Sequence, residues 1–167
     1  MKKVLIVYFS LTGNTEMMAQ YIAEGVRFSG QEAVVKKISD ISNADDLNGY
    51  DGYIFGSPTH HSDVPEKMKA FLLLAQGANL EGKPVGAFGS YTHDGNAPAI
   101  IFDTLQNVND MQPFELGSIN FTDTMLGKSA RGDIDSGQYV AGEVYEVGEG
   151  MRGCQDYGRV FGEKLEA

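Results

Sequence analysis

Residues 8–26, YFSLTGNTEMMAQYIAEGV, decide how the rest of the chain is read. An apolar run, KVLIVYF at 3–9, stops at a cluster of Ser, Thr, Gly and Asn, and a helical pattern starts at once. The apolar run is nearly continuous, as in a strand covered on both faces of its sheet. Beyond the cluster, Met18, Ala19, Ile22, Ala23 and Val26 fall on one helical stripe, which Gly30 ends. SLTGNT (10–15) therefore sits at a strand-to-helix junction, where first-turn amides and the positive end of the helix dipole face outward. An anion is stabilised there without any cationic side chain. Ser10, Thr12 and Thr15 add hydroxyls around Leu11. Gly13 lets the backbone come close, and Asn14 tolerates unusual backbone angles. The competing reading is a well-capped helix after a tight turn. A triphosphate loop needs G-x-x-x-x-G-K-[ST], and a dinucleotide fold needs G-x-G-x-x-G; the junction has neither. A terminal phosphate monoester is what remains.

Outward from this junction, strand and helix alternate. EAVVKKI (32–38) reads as a second strand and YIFGS (53–57) as a third. SDVPEKMKAFLLLA reads as a helix with Asp63 as N-cap and Pro65 in its first turn, placing Met68, Phe71, Leu72 and Ala75 on one face. PVGAFGS (84–90) is a fourth strand, 97–108 a helix and PFELGSINF (113–121) a fifth strand. A closing helix over 151–165 carries Cys154, Tyr157, Gly158, Phe161 and Leu165 on its inner stripe. Such alternation predicts a three-layer α/β fold, a doubly wound five-stranded parallel sheet in the order 2-1-3-4-5 with ligands at its carboxyl edge. Residues 122–150 break the pattern. Glycine-rich and polar, with strand character at 139–147, they are an extra segment near the fifth strand, either functional or an added hairpin.

Composition narrows the classes. At 167 residues, 42% hydrophobic and 22% charged, the chain is expected to form one globular domain over 1–167. Its net charge of −10 repels nucleic acid and anionic membranes and favours basic partners. The lone Cys154 excludes an internal disulfide and fits a reducing cytoplasm. No apolar stretch approaches the roughly 20 residues of a membrane span. MKKVLIVYFS runs into a turn instead of a small-residue cleavage site, so it reads as a buried strand, not a signal peptide. Only three histidines are present. His60 and His61 are adjacent and on an extended loop would point opposite ways, so no metal site is expected.

SLTGNT after VLIVYF resembles the phosphate-binding loop of the flavodoxin family, S/T-x-T-G-N-T. YDGYIFGSPTHHSDVPEKMKAFL resembles the family's third strand, first flavin loop and following helix. GKPVGAFGSYTHDGNA resembles its fourth strand and second flavin loop, and CQDYGRVFGEKL its closing helix. The resemblance implies FMN, with its phosphate on residues 10–15. A flat ring with polar edges needs faces to stack on and donors at its rim. The chain has no tryptophan, so Tyr91 is the expected stacking residue, with His60 and His93 next. Pro58 and Thr59 would shape the first loop, with flavin contact from at least one of His60 and His61. Ser90, Thr92 and Gly95 would serve the ring edge. Unlike the family pattern, residues 57–63 contain no glycine.

The function this implies is a low-potential electron carrier between basic-faced redox partners, a monomer or small homo-oligomer with no catalytic acid or base. The alternative is an FMN-dependent NAD(P)H:quinone oxidoreductase of the same fold. Such enzymes carry a longer segment after the second strand, for which residues 40–50 leave little room. A flavin-free interaction domain remains only if SLTGNT is a mere cap.

Overall fold

The computed structural model describes residues 1–92, 95–122 and 150–166 in full. The backbone alone is described at 128–129, 132–133, 137–140, 143–146 and 149. Five strands, β1 (Lys3–Tyr8), β2 (Glu32–Lys37), β3 (Gly52–Gly56), β4 (Pro84–Tyr91) and β5 (Gln112–Thr122), form one sheet. Their order is β2-β1-β3-β4-β5 and every pairing is parallel, as the alternation predicts. The helices are α1 (Asn14–Phe28), α2 (Glu66–Ala75), α3 (Ala97–Val108) and α4 (Glu149–Glu166). Two short 3-10 turns, Ile38–Asp40 and Ala44–Leu47, fill the β2–β3 connection.

Alternation along β1 explains the three layers. Val4, Ile6 and Tyr8 join a core with Met18, Ile22, Cys154, Tyr157 and Phe161 from α1 and α4. Leu5 and Val7 join the opposite core with Met68, Phe71, Ile101 and Leu105 from α2 and α3. Cys154 is fully buried, and burial pushes its thiol pKa far up, which suits a packing residue and not a nucleophile.

On the α1/α4 side the two helices meet backbone to backbone. A methyl group at Gly158 would overlap the Ile22 carbonyl, and one at Gly25 would overlap the Gln155 carbonyl. β5 is less regular than its sequence implies. Val85 pairs with Pro113 and Ala87 with Ser118, so residues 114–117 bulge out of register. Gly117 supplies a positive φ there, and Phe114 turns inward against Tyr157 and Phe161. The buried Tyr157 hydroxyl donates to the Gly117 carbonyl and accepts from the Ala87 amide at 3.1 Å.

Within the extra segment, β6 (Lys128–Ser129) pairs antiparallel with β7 (Gly132–Asp133), and β8 (Gly137–Val140) with β9 (Glu143–Glu146). The expected strand at 139–147 is thus split between two arms of a hairpin that forms its own two-stranded sheet, not an addition to β5. A second correction concerns α2. It begins one residue after Pro65, which occupies the N-cap position. Asp63 lies ahead of the helix, accepting from the Val64 amide at 2.7 Å and from Lys69 Nζ at 2.6 Å. Those two donors hold its carboxyl below the usual carboxylate range.

Candidate functional site

The 10–15 loop leaves β1 at the carboxyl edge of the sheet, beside the ends of β3 and β4. It folds on itself: the Gly13 amide donates to Ser10 Oγ at 3.1 Å. Gly13 is the N-cap of α1, at φ 94 and ψ −8, and no side chain caps the helix. A side-chain-bearing residue is strained in that conformation. Met17 N donates to Gly13 O at 3.0 Å, the first helical bond, so the Thr15 and Glu16 amides precede any intrahelical acceptor. The competing reading of a well-capped helix does not hold, because the cap is a bare glycine.

The remaining loop residues divide by exposure. Leu11 and Thr12 stand at the solvent rim, while Asn14 and Thr15 are buried. Thr15 Oγ1 lies 2.9 Å from Ser90 Oγ, tying the start of α1 to the end of β4. This pairing was not legible in the motif, where Thr15 reads only as a hydroxyl facing the anion.

The two other loops close around the same edge. Ser57 N donates to Phe88 O at 3.1 Å and Thr59 N to Ser90 O at 3.4 Å, which continues the β3–β4 ladder past the strands. Pro58 and Thr59 are half-buried, and Thr59 Oγ1 accepts from the Ala97 amide at 3.0 Å at the start of α3. His60 and Asp63 exchange both backbone bonds, at 2.8 and 2.9 Å, around a two-residue turn. His61 (φ 50) and Ser62 (φ 62) occupy that turn. Positive φ at both centres is the type I′ arrangement that glycine and asparagine favour, and each ordinary residue there costs about 1–2 kcal/mol. Asn96 Nδ2 donates to the Ser62 carbonyl at 3.2 Å and so braces the turn from the second loop.

The turn also corrects the expected geometry of the histidines. Instead of pointing opposite ways along an extended loop, the His60 and His61 rings meet edge to face with centroids 6.4 Å apart. Among the described residues no group of three or more His, Cys, Asp or Glu could hold a metal.

Ser90 is buried at the end of β4, Tyr91 is half-buried and Thr92 is exposed. Gly95 lies against Asn120, whose Nδ2 donates to the Gly95 carbonyl. His93 lies outside the described residues. Sequence reasoning did not single out Ser57, Asn96 or Asn120. None of the three carries a motif of its own, and Asn96 directly precedes the helix expected over 97–108. A separate cavity of about 520 Å3, between Lys83, Gln112, Phe161 and Lys164, lies at the opposite edge of the sheet.

An open parallel sheet in the order 2-1-3-4-5, with a bare helix start at the strand-order reversal, defines a doubly wound α/β protein whose carboxyl edge suits an anionic ligand. The sequence model of the flavodoxin family matches residues 6–131. The chain belongs to the flavodoxin family, and FMN is the cofactor that family carries. A flavodoxin of Maridesulfovibrio salexigens is 41% identical over 92 residues, which is 53% of this chain and 63% of that protein. An NAD(P)H dehydrogenase (quinone) of Cupriavidus metallidurans is 28% identical over 183 aligned positions, covering 91% of this chain and 87% of that one. A solved flavodoxin from the domain Archaea superposes with a TM-score of 0.76 at 23% identity, over 99% of both chains. The donor set fits FMN: helix-start amides and hydroxyls suit a monoester phosphate, and the two braced loops with Tyr91 suit a flat ring.

Proposed function

We propose that this chain binds FMN across the ends of β1, β3 and β4 and carries electrons at low potential between redox proteins of the cytoplasm. The observation that carries the reading is the start of α1 on an uncapped, left-handed glycine within SLTGNT. In this reading residues 10–15 hold the phosphate, with the Thr15 and Glu16 amides and the Thr12 hydroxyl as donors. Tyr91 and the His60–His61 turn flank the ring, and the second loop at Ser90, Thr92, His93 and Gly95 serves its edge. Pro58 and Thr59 keep the first loop in place. Bound FMN supplies the one- and two-electron chemistry, and the protein orients it and sets the field around it. A net charge of −10 disfavours added negative charge on the ring and steers encounter with basic partner faces. The 1–167 chain acts in this reading as a single cofactor domain.

A second reading, an NAD(P)H:quinone oxidoreductase, is favoured by the long alignment with the Cupriavidus enzyme. That alignment spans more positions than the 167 residues here, so the relative carries insertions this chain lacks. The β2–β3 connection, filled by two 3-10 turns, leaves no room for a long one there. Anaerobic titration of the flavin-loaded protein with NADPH separates the two. A carrier stays oxidised until a reductase is added. Rapid direct bleaching with quinone turnover would establish the enzyme, and failure to take up FMN would end both readings.

A further inference from the structure

We infer that the cleft beside the phosphate loop, between the carboxyl ends of β1 and β2 and the first turn of α2, is a subsite for a small oxyanion of the phosphate class. The inference rests on the FMN reading only for where the neighbouring cofactor lies. The cleft is a cavity of about 220 Å3 walled by Tyr8, Ser10, Glu16, Lys37 and Lys67. Lys37 ends β2 and Lys67 lies in the first turn of α2, so two separate elements each contribute a lysine to the lining of one concavity. Among the described residues neither lysine makes an ion pair, whereas Lys69, Arg159 and Lys164 each do. The chain has 23 carboxylates for 13 Lys and Arg. Among the described residues Lys2, Lys3, Lys36 and Lys83 make no ion pair either, so what sets Lys37 and Lys67 apart is that both line one concavity.

Ser10 is the wall shared with the cradle, since its hydroxyl also accepts from the Gly13 amide. Tyr8 is 4% exposed and its hydroxyl hydrogen-bonds to Glu16. The carboxylates facing the cleft are Glu16 and, more remotely, Asp40. They oppose an anion, so the subsite depends on the two lysines. Its volume lies below the roughly 300 Å3 at which sites for nucleotide-sized ligands begin. A phosphate-sized group fits and a dinucleotide does not. Two sources share this chemistry: the FMN phosphate itself, leaning out of the cradle past Ser10, and a separate anion bound next to it.

The test uses the full chain loaded with riboflavin or with FMN, inorganic phosphate as probe, and calorimetry at low salt. Lys37→Gln with Lys67→Gln should weaken phosphate binding to the riboflavin complex at least tenfold, while riboflavin affinity stays within twofold. Glu16→Gln should tighten phosphate several-fold, a gain that misfolding cannot produce. If phosphate also binds the FMN complex, the anion is separate. If it does not, and the double variant loosens FMN tenfold, the FMN phosphate is the occupant. Phosphate and FMN affinities both within twofold of wild type in the double variant would overturn the subsite. Should neither flavin bind the wild-type chain, the cofactor reading fails, and phosphate binding to the bare protein, with and without the lysines, still decides the cleft.

Discussion

Thr12 and Thr15 come from one motif but stand in different places, one at the solvent rim and one buried against Ser90. Charge-assisted hydrogen bonds contribute about 1.5–3 kcal/mol each. Thr12→Ala combined with Thr15→Ala should therefore weaken FMN on the order of 10- to 100-fold or more, and riboflavin, which lacks the phosphate, far less. Equal losses measured by flavin fluorescence would remove the phosphate from this loop. Tyr8 makes a different prediction. Burial, then the hydrogen bond to Glu16, raises its pKa to about 12 from the ordinary 10.0. Because the folded value lies above the unfolded one, its contribution to stability is complete below pH 10 and is lost as pH rises towards 12. Burial raises Tyr53 and Tyr157 as well, with the same sign. Denaturation midpoints should fall through that window, and Glu16→Gln should shift tyrosinate formation at Tyr8 to lower pH. The strand-to-helix junction at 10–15 was legible because its turn residues are contiguous in sequence. Asn96 bracing Ser62 was not, since that contact exists only once β3, β4 and their loops are side by side.

At the level of elements, hydrophobic period placed all five sheet strands and the four helices, and the errors fell where a local rule met a tertiary demand. Asp63 has the chemistry of an N-cap, yet Lys69 and the Val64 amide engage it and α2 starts after Pro65. β5 reads as one run, but the inward turn of Phe114 forces a bulge that Tyr157 clamps. Nothing in the β5 residues themselves signals this, because the clamp comes from a helix some forty positions later. Gly158 was visible on the inner stripe of the last helix, though its purpose was not: it lets α4 touch the backbone of α1 at Ile22. Gly158→Ala should force the helices apart and destabilise the fold by about 3 kcal/mol, the scale of an overpacked core site. Thermal melts check this. A loss under about 0.5 kcal/mol would mean that the close crossing is not maintained in solution.

Across the whole molecule, order 2-1-3-4-5 was readable from alternation and the phosphate loop together, because a parallel sheet with short right-handed crossovers allows few alternatives. Residues 122–150 were less legible, since antiparallel arms of two to four residues are too short to show a hydrophobic period. Among the described residues no helix is long and apolar enough to cross a membrane. The sheet divides the interior into two cores whose buried helical members come from different helices, α1 and α4 on one side and α2 and α3 on the other, with Phe102 of α3 bordering both. The 10–15 loop opens α1, on one side, whereas the loops after β3 and β4 lead into α2 and α3, on the other. An occupant of the carboxyl edge therefore rivets together two hydrophobic compartments that otherwise meet across the strands and at Phe102. Supply of that occupant would govern how cooperatively the chain melts, with a loaded form opening in one step and a starved form free to shed its layers in turn.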